Sequence, residues 1–335
     1  MIDAPVRWGI LSTANIARIK LIPAMRASAH AEVLAVGSRN QESAQAFADE
    51  MDIPRAYASY EAVLDDPEVE AVYIPLPNHL HIELAQKALD KGKHVLCEKP
   101  LALTAAQAAS LRVPPGLLFC EAFMVRHQPR WLAVKERIEA GDYGDIRMVQ
   151  AMLTFGLDDP GNYRMRPEFG GGALYDVGCY AAMATRFAFG CEPRRVMAHA
   201  SRAPEHGVDV VASVLLDYGE GRHASLMVST ATSAAQHLHI VGSQGAIDLP
   251  EPFIAPVERP TRVVHDNVFD LYQSDPKTET FPPMDQYEQE VSRFCRALRG
   301  EEVGLYGLED SIANLRVIDA IFASVDSGGW AAVAQ

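Results

Sequence analysis

A lysine and a tyrosine carry the clearest chemistry in this sequence. Lys99 stands in the stretch His94-Val95-Leu96-Cys97-Glu98-Lys99-Pro100-Leu101. Residues 95–97 are apolar and read as a buried strand, which two adjacent charges and a proline bring to an end. Pro100 has no backbone N–H to give and disfavours helical geometry at Lys99, so the chain is expected to leave the strand extended. At the carboxyl end of a strand in an open parallel sheet, Lys99 and Glu98 would face the crevice where ligands bind. Tyr180 closes the second stretch, Gly170-Gly171-Gly172-Ala173-Leu174-Tyr175-Asp176-Val177-Gly178-Cys179-Tyr180, which follows Tyr163-Arg164-Met165-Arg166. Three glycines before a helix permit close backbone approach by another group. Asp176 and Tyr180 are four apart and share one face of that helix. A phenol beside an ammonium has its ionised form favoured, which makes it a usable acid or base. Each stretch alone also fits a plainer account, an exposed lysine at a strand end or a core tyrosine behind a glycine loop. The rest of the chain decides between them.

The first third alternates strand and helix. Residues 7–11 read as a strand, and a helix is expected to begin near Asn15. Ser12, Ala14 and Ala17 occupy the spacing of the dinucleotide pattern G-x-G-x-x-G/A, with two glycines missing. Small side chains there still let a pyrophosphate reach backbone N–H groups at a helix N-terminus, so Ser12, Thr13, Ala14, Asn15 and Ile16 are candidate cofactor contacts. A tight strand-to-helix turn without a ligand fits the same residues. The second strand, 32–37, ends at Ser38-Arg39-Asn40, where an acidic residue would accept from the ribose 2′-hydroxyl of NAD. A hydroxyl and a guanidinium suit a 2′-phosphate instead, which favours NADP over NAD. Further on, 42–51 reads as helix and 71–74 as strand. Pro75-Leu76-Pro77-Asn78-His79 forms a rigid turn before a helix over 81–91, closed by Gly92. Leu76, Pro77, Asn78 and His81 are expected near the cofactor. A helix over 104–111 and a strand over 117–121 follow, separated by Pro114-Pro115-Gly116. This alternation predicts an α/β, doubly wound parallel sheet.

After a helix over 130–140 the texture changes. Residues 147–155, 195–201, 210–218, 223–230 and 236–241 read as strands, several alternating in polarity and separated by turns, as in an antiparallel sheet. One helix interrupts them from near Tyr175 to about Phe187, and two more are expected at 284–298 and 308–327. The expected domains are 1–123 and 124–335, with the C-terminal helices packing back on the first. Arg126, Phe155 and Tyr163 are candidate substrate contacts, whereas the stretches 155–166 and 250–283 read as loops without a legible code.

Composition narrows the partners. The chain has 335 residues, 48% hydrophobic and 22% charged, and a net charge of −14, which argues against nucleic acid or an anionic membrane surface. No apolar run approaches the roughly 20 residues of a membrane span, and residues 1–11 lack the pattern of a secretory leader. The five cysteines form no CxxC pair and read as reduced thiols of a cytoplasmic protein. The scattered histidines show no ligand spacing, so no metal is expected.

With both motifs in hand, the chain resembles the glucose–fructose oxidoreductase/inositol dehydrogenase (Gfo/Idh/MocA) family over nearly its whole length. Trp8-Gly9-Ile10, Pro77-Asn78-His79, Glu98-Lys99-Pro100, Glu121-Ala122-Phe123-Met124 and the 314–324 helix carry the likeness. The resemblance implies an N-terminal Rossmann domain, a C-terminal α/β domain with a mostly antiparallel sheet, and a lysine at nicotinamide and substrate, which maps onto Lys99. Tyrosine at the position of Tyr180 looks like the branch of glucose–fructose oxidoreductase, D-xylose dehydrogenase, dihydrodiol dehydrogenase and sugar ketoreductases. The thinned glycine pattern and a short 111–116 connection depart from the family.

The expected reaction is hydride transfer between NADP and a secondary alcohol or hemiacetal hydroxyl of a sugar, polyol or cyclic diol. Tyr180 would exchange the hydroxyl proton, Lys99 would stabilise the tyrosinate and the oxyanion, and Asp176 would orient the tyrosine or a hydroxyl. Arg164 is expected to touch cofactor or substrate. A homodimer or dimer of dimers is expected through the sheet's second face. A cofactor-binding regulator or a silent partner subunit of the same fold are the alternatives, which retention of Lys99 and Tyr180 disfavours.

Overall fold

The computed structural model describes residues 4–266, 272 and 274–335, so 267–271 and 273 of the 250–283 stretch lie outside the described residues. The chain forms two compact units: 1–124 with 285–312, and 125–284 with 313–335.

In the first unit, β1 (Val6–Leu11), β2 (Ala31–Gly37), β3 (Arg55–Tyr57), β4 (Ala71–Ile74), β5 (His94–Cys97) and β6 (Phe119–Glu121) make one parallel sheet in the order β3-β2-β1-β4-β5-β6. Strand order reverses between β1 and β4, so the carboxyl ends of these central strands open at a topological switch point. The connecting helices are α1 (Ile22–Ala27), α2 (Gln41–Glu50), α3 (Tyr60–Asp65), α4 (His81–Asp90) and α5 (Ala105–Ala108). Side-chain caps start three of them: Asn40 accepts from the Ser43 amide, Ser59 from Ala62 and Thr104 from Gln107. Helical winding begins at Asn15, as expected, and passes through a π-turn at Ala17–Leu21 into α1. Two glycines let α3 lie directly on the sheet. A Cβ on Gly9 would stand 2.5 Å from Val63, and one on Gly37 would stand 2.8 Å from the Ser59 carbonyl.

The helix α8 (Gln286–Leu298; numbers follow chain order) also belongs to this unit. Its buried Val291, Phe294 and Cys295 join Trp8 and Met25 in one core cluster, with the Trp8 and Phe294 rings 5.2 Å apart. Burying each such side chain is worth roughly 1.5–3 kcal/mol, enough to hold the helix there.

The second unit is built on a nine-stranded sheet. Its strands are β7 (Ile146–Gly156), β8 (Arg195–Arg202), β9 (Asp209–Gly219), β10 (Arg222–Ser229), β11 (Ala231–Gly242), β12 (Ala246–Pro250), β13 (Thr261–Asp266), β14 (Lys277–Phe281) and β15 (Ala331–Ala332). They run in the order β14-β13-β12-β11-β7-β10-β9-β8-β15, all antiparallel except β7 with β10. The 250–283 stretch, expected as loop, therefore carries two strands that extend the sheet edge. Alternation sorts the faces: Ala212, Val214 and Leu216 of β9 are buried, whereas Val211 and Leu215 are exposed. The helices are α6 (Pro129–Ala140), α7 (Cys179–Phe189) and the C-terminal α9 (Leu308–Ser327), whose part from Ala313 on belongs here. Residues 179–188 of α7 are all buried, and Asn314 of α9 donates to the Cys179 carbonyl at 3.1 Å. No described helix is long and apolar enough to cross a membrane.

Candidate active site

In the first unit the predicted cofactor residues gather at the carboxyl ends of β1, β2, β4 and β5. Ser12 is buried, Thr13, Ala14 and Ile16 are half-buried, and Asn15 is exposed where the helix begins. Ser38 is buried and its amide donates to the Tyr57 carbonyl at 3.1 Å, while Arg39 is exposed. Arg39 has a neighbour that sequence reasoning missed. Burial pushes the Tyr60 phenol up, and the charge of Arg39 is the leading influence pulling it down. These groups fit a phosphorylated ribose: an exposed cation at the end of β2, and no carboxylate among residues 37–41 to oppose an anion.

Lys99 is half-buried just past β5, and the residues on both sides of it are pinned. On one side, the Tyr73 hydroxyl of β4 donates to Glu98 Oε1 at 2.5 Å, and the Lys99 amide donates to Glu98 Oε2 at 3.3 Å. On the other, the cis-linked Pro100 carbonyl stands 2.9 Å from His81 Nδ1. The second ring nitrogen of His81 stands 2.7 Å from the Leu76 carbonyl. His81 is wholly buried, so it ties the Leu76–Pro77 turn to the Lys99–Pro100 turn instead of facing a cofactor, contrary to the expectation. Burial lowers its imidazole to about 4, while the two carbonyls pull the other way. Glu290 of α8 is a further acid in this corner. Burial first, then Glu98, push its carboxyl well above the usual range. Leu76 and Pro77 are half-buried and Asn78 is buried.

In the second unit, Tyr180 is buried in the first turn of α7, with its ring 6.0 Å from that of Phe253. Asp176 lies in a π-turn, Leu174–Gly178, that leads into α7. Such turns recur at functional sites because the wider winding re-aims a side chain. Arg164 Nε stands 2.9 Å from Asp176 Oδ2, and its guanidinium lies 4.7 Å from the centre of the Tyr163 ring. The structure thus joins three predicted residues. Phe155 is half-buried at the end of β7, in step with the buried Val149, Ala151 and Leu153, and Arg126 is buried.

The triple glycine serves the chain itself. A Cβ on Gly171 would stand 2.3 Å from the Arg164 carbonyl, and one on Gly172, with φ +108°, would stand 2.2 Å from Asp209 Oδ1. The group that approaches is therefore the 164–166 backbone, whose carbonyls accept from the amides of Gly171 and Gly172. Asp209 was not legible in the sequence. Its Oδ2 accepts from the Leu174 amide at 2.7 Å and caps the π-turn that carries Asp176. Arg130 and Trp131 were missed too: Arg130 bonds the Pro250 carbonyl at 2.9 Å and Trp131 the Pro252 carbonyl at 2.9 Å, which fixes Phe253 against Tyr180. Burial lowers the Arg130 guanidinium to about 10.

Comparisons with known proteins agree with this layout. Residues 6–112 match the family model described as oxidoreductase family, NAD-binding Rossmann fold, and residues 131–248 match the GFO/IDH/MocA C-terminal domain. An uncharacterized oxidoreductase of Rhizobium meliloti is 39% identical over 98% of this chain and 99% of its own length. D-xylose 1-dehydrogenase (NADP(+)) 2 of Haloferax volcanii is 38% identical over 96% of this chain and 98% of its own. The structure of KijD10, a 3-ketoreductase from Actinomadura kijaniata in complex with NADP and TDP-benzene, superposes with a TM-score of 0.86 at 30% identity, covering 96% of this chain and 98% of that one. With both domain models matched in order and relatives of this identity covered end to end, the chain belongs to the Gfo/Idh/MocA family of oxidoreductases.

Proposed function

We propose that this chain is an NADP-dependent dehydrogenase or reductase that interconverts a secondary alcohol or hemiacetal hydroxyl with its carbonyl on a sugar, polyol or cyclic diol. The names of its relatives support the substrate class and the cofactor. The observation that carries the reading is the double brace on Lys99, from Tyr73 through Glu98 and from His81 through Pro100. A solvated surface lysine needs no such support. A lysine that must meet developing negative charge does, because preorganised charge costs no reorganisation during reaction.

When bound, NADP supplies the acceptor or donor of hydride. Ser12, Thr13, Ala14, Asn15 and Ile16 would hold its pyrophosphate, Ser38 and Arg39 its 2′-phosphate, and Leu76, Pro77, Asn78 and Glu98 would line the approach to Lys99. Tyr180 takes the proton from the reacting hydroxyl in oxidation and returns it in reduction. Lys99 stabilises the oxygen that loses its proton. Asp176 and Arg164, held together at 2.9 Å, orient substrate hydroxyls, with Tyr163, Phe155 and Arg126 as further substrate contacts. Nicotinamide absorbance followed with a panel of sugars and cyclic diols tests this. Cofactor binding with no turnover on the whole panel would favour a regulator.

Arg39→Ala should weaken NADP by roughly 1.5–3 kcal/mol, the worth of a charge-assisted hydrogen bond, and leave NAD nearly unchanged. Equal losses for the two cofactors in titration would remove the 2′-phosphate assignment.

The assembly we propose is a homodimer or dimer of dimers in the cytoplasm, the setting that five reduced cysteines suit. The open face of the nine-stranded sheet exposes Met148, Met197, Val211, Leu215 and Met227, apolar side chains that a partner subunit would cover. Only the outward residues of the expected 210–216 and 223–228 runs contribute to it. Light scattering should give at least twice the mass of one chain, and Met227→Asp should lower it. A monomer at micromolar concentration would count against this surface.

A further inference from the structure

We propose that His237, His239 and Asp248 form a binding site for a divalent transition ion of the Zn²⁺ class. His237 and His239 alternate on β11, so both imidazoles stand on one face of the strand, while Leu238 and Ile240 between and beyond them are wholly buried on the other. The two rings lie nearly parallel, 14° apart in plane and 6.0 Å between centres. Asp248 of β12 is the cross-strand partner of His239 and stands on the same face. One ligand atom from each residue lies within 4.8 Å of the other two.

The carboxylate is where the two imidazoles converge. His237 Nε2 contacts Asp248 Oδ1, and His239 Nδ1 stands 3.6 Å from that same oxygen. A single His–Asp hydrogen bond would need only one imidazole. Two ring nitrogens turned to one carboxylate oxygen place three ligand atoms within 4.8 Å of one another, a spacing that one cation can span. Two neutral nitrogens and one carboxylate oxygen select Zn²⁺ or a neighbouring first-row ion over Mg²⁺ or Ca²⁺, which prefer all-oxygen shells. Three protein ligands leave a fourth tetrahedral position for water. The side chains are 42%, 34% and 33% exposed in the single chain, and they lie beside Gln150 and Met152 of β7 on the sheet face proposed for subunit contact, so an ion held there would also stand at that contact. Binding would displace the proton shared between His237 and Asp248 and pin β11 to β12. The site stands on the opposite face of the sheet from the buried Leu238 and Ile240, and it is separate from the residues assigned to redox chemistry.

The test is equilibrium dialysis of the metal-stripped full chain against Zn²⁺, with thermal unfolding alongside. Wild type should bind one ion per chain at this site, and its midpoint should rise with Zn²⁺, since a ligand of the folded state stabilises it. His239→Ala and Asp248→Asn should each weaken that ion by at least about 10–100-fold, no less than the loss of an outer-shell partner costs. His199→Ala, an exposed histidine on β8 outside the cluster, should leave binding unchanged. Absence of saturable binding, or Zn²⁺ retained at full affinity by both triad variants, would overturn the site. Equal loss in His199→Ala would assign the ion to scattered surface histidines and overturn it too.

Discussion

Tyr180→Phe should bind NADP as wild type does and turn over about 10²–10⁴-fold more slowly, the range a positioned acid or base contributes. The ring stays, so its packing 6.0 Å from Phe253 and the burial of the first turn of α7 persist. Only the hydroxyl proposed to exchange the substrate proton is removed. That makes the variant a test of chemistry with little cost in folding. The wild-type rate of alcohol oxidation should rise from neutral to alkaline pH as the proton acceptor loses its own proton, and the variant should lose that rise. A change in KM with kcat intact would instead mean that the hydroxyl only binds substrate. Turnover at the wild-type rate would place the proton acceptor elsewhere, and Asp176, paired with Arg164, is next to test.

Much of this site was legible because its chemistry is local in sequence. The apolar run before Glu98-Lys99-Pro100 announces a strand that ends in charge, and the glycines before Asp176 announce a tight entry into a helix. What stayed hidden depends on partners far along the chain. Tyr73 reaches Glu98 across neighbouring strands, and Asp209 caps Leu174 from 35 residues away. Nothing in either residue's own neighbourhood marks it for that role. His81 was misread for the same reason. A histidine at the start of a helix after Pro77-Asn78 looks like a cofactor contact, until the fold shows both of its nitrogens at backbone carbonyls. Short elements were lost as well. β3 has three half-buried residues and no apolar run, and α3 has six residues held down by the gaps at Gly9 and Gly37. The strands β13 and β14 fell in a stretch rich in proline and charge, where Val263 is the one wholly buried apolar side chain of β13 and the edge strand β14 is held by its pairing. The His237–His239–Asp248 cluster shows the same limit. H-x-H at residues 237–239 is a weak signal until β12 brings its carboxylate alongside.

Lys99→Ala should cost at least as much as Tyr180→Phe, since in the proposed reaction it removes the stabiliser of the developing oxyanion. Loss of one oxyanion donor alone is worth about 10²–10³-fold in kcat. The fold should tolerate the change, because the braces act on its neighbours: Glu98 keeps Tyr73, and Pro100 keeps His81. Lys99→Arg should rescue little. A planar fork of five donors does not reproduce the point charge of a compact ammonium. If the two residues act on one hydroxyl, their losses will not add. The double variant should then be no more than a few-fold slower than the worse single one, as for groups that work as a unit. Steady-state kinetics on the two single variants and the double variant, with any accepted substrate, decides the matter. Multiplicative losses would mean that Lys99 and Tyr180 serve separate steps, and the shared-oxygen mechanism would fall. Near wild-type kcat in Lys99→Ala would remove the lysine from the chemistry and leave its double brace without a catalytic reason.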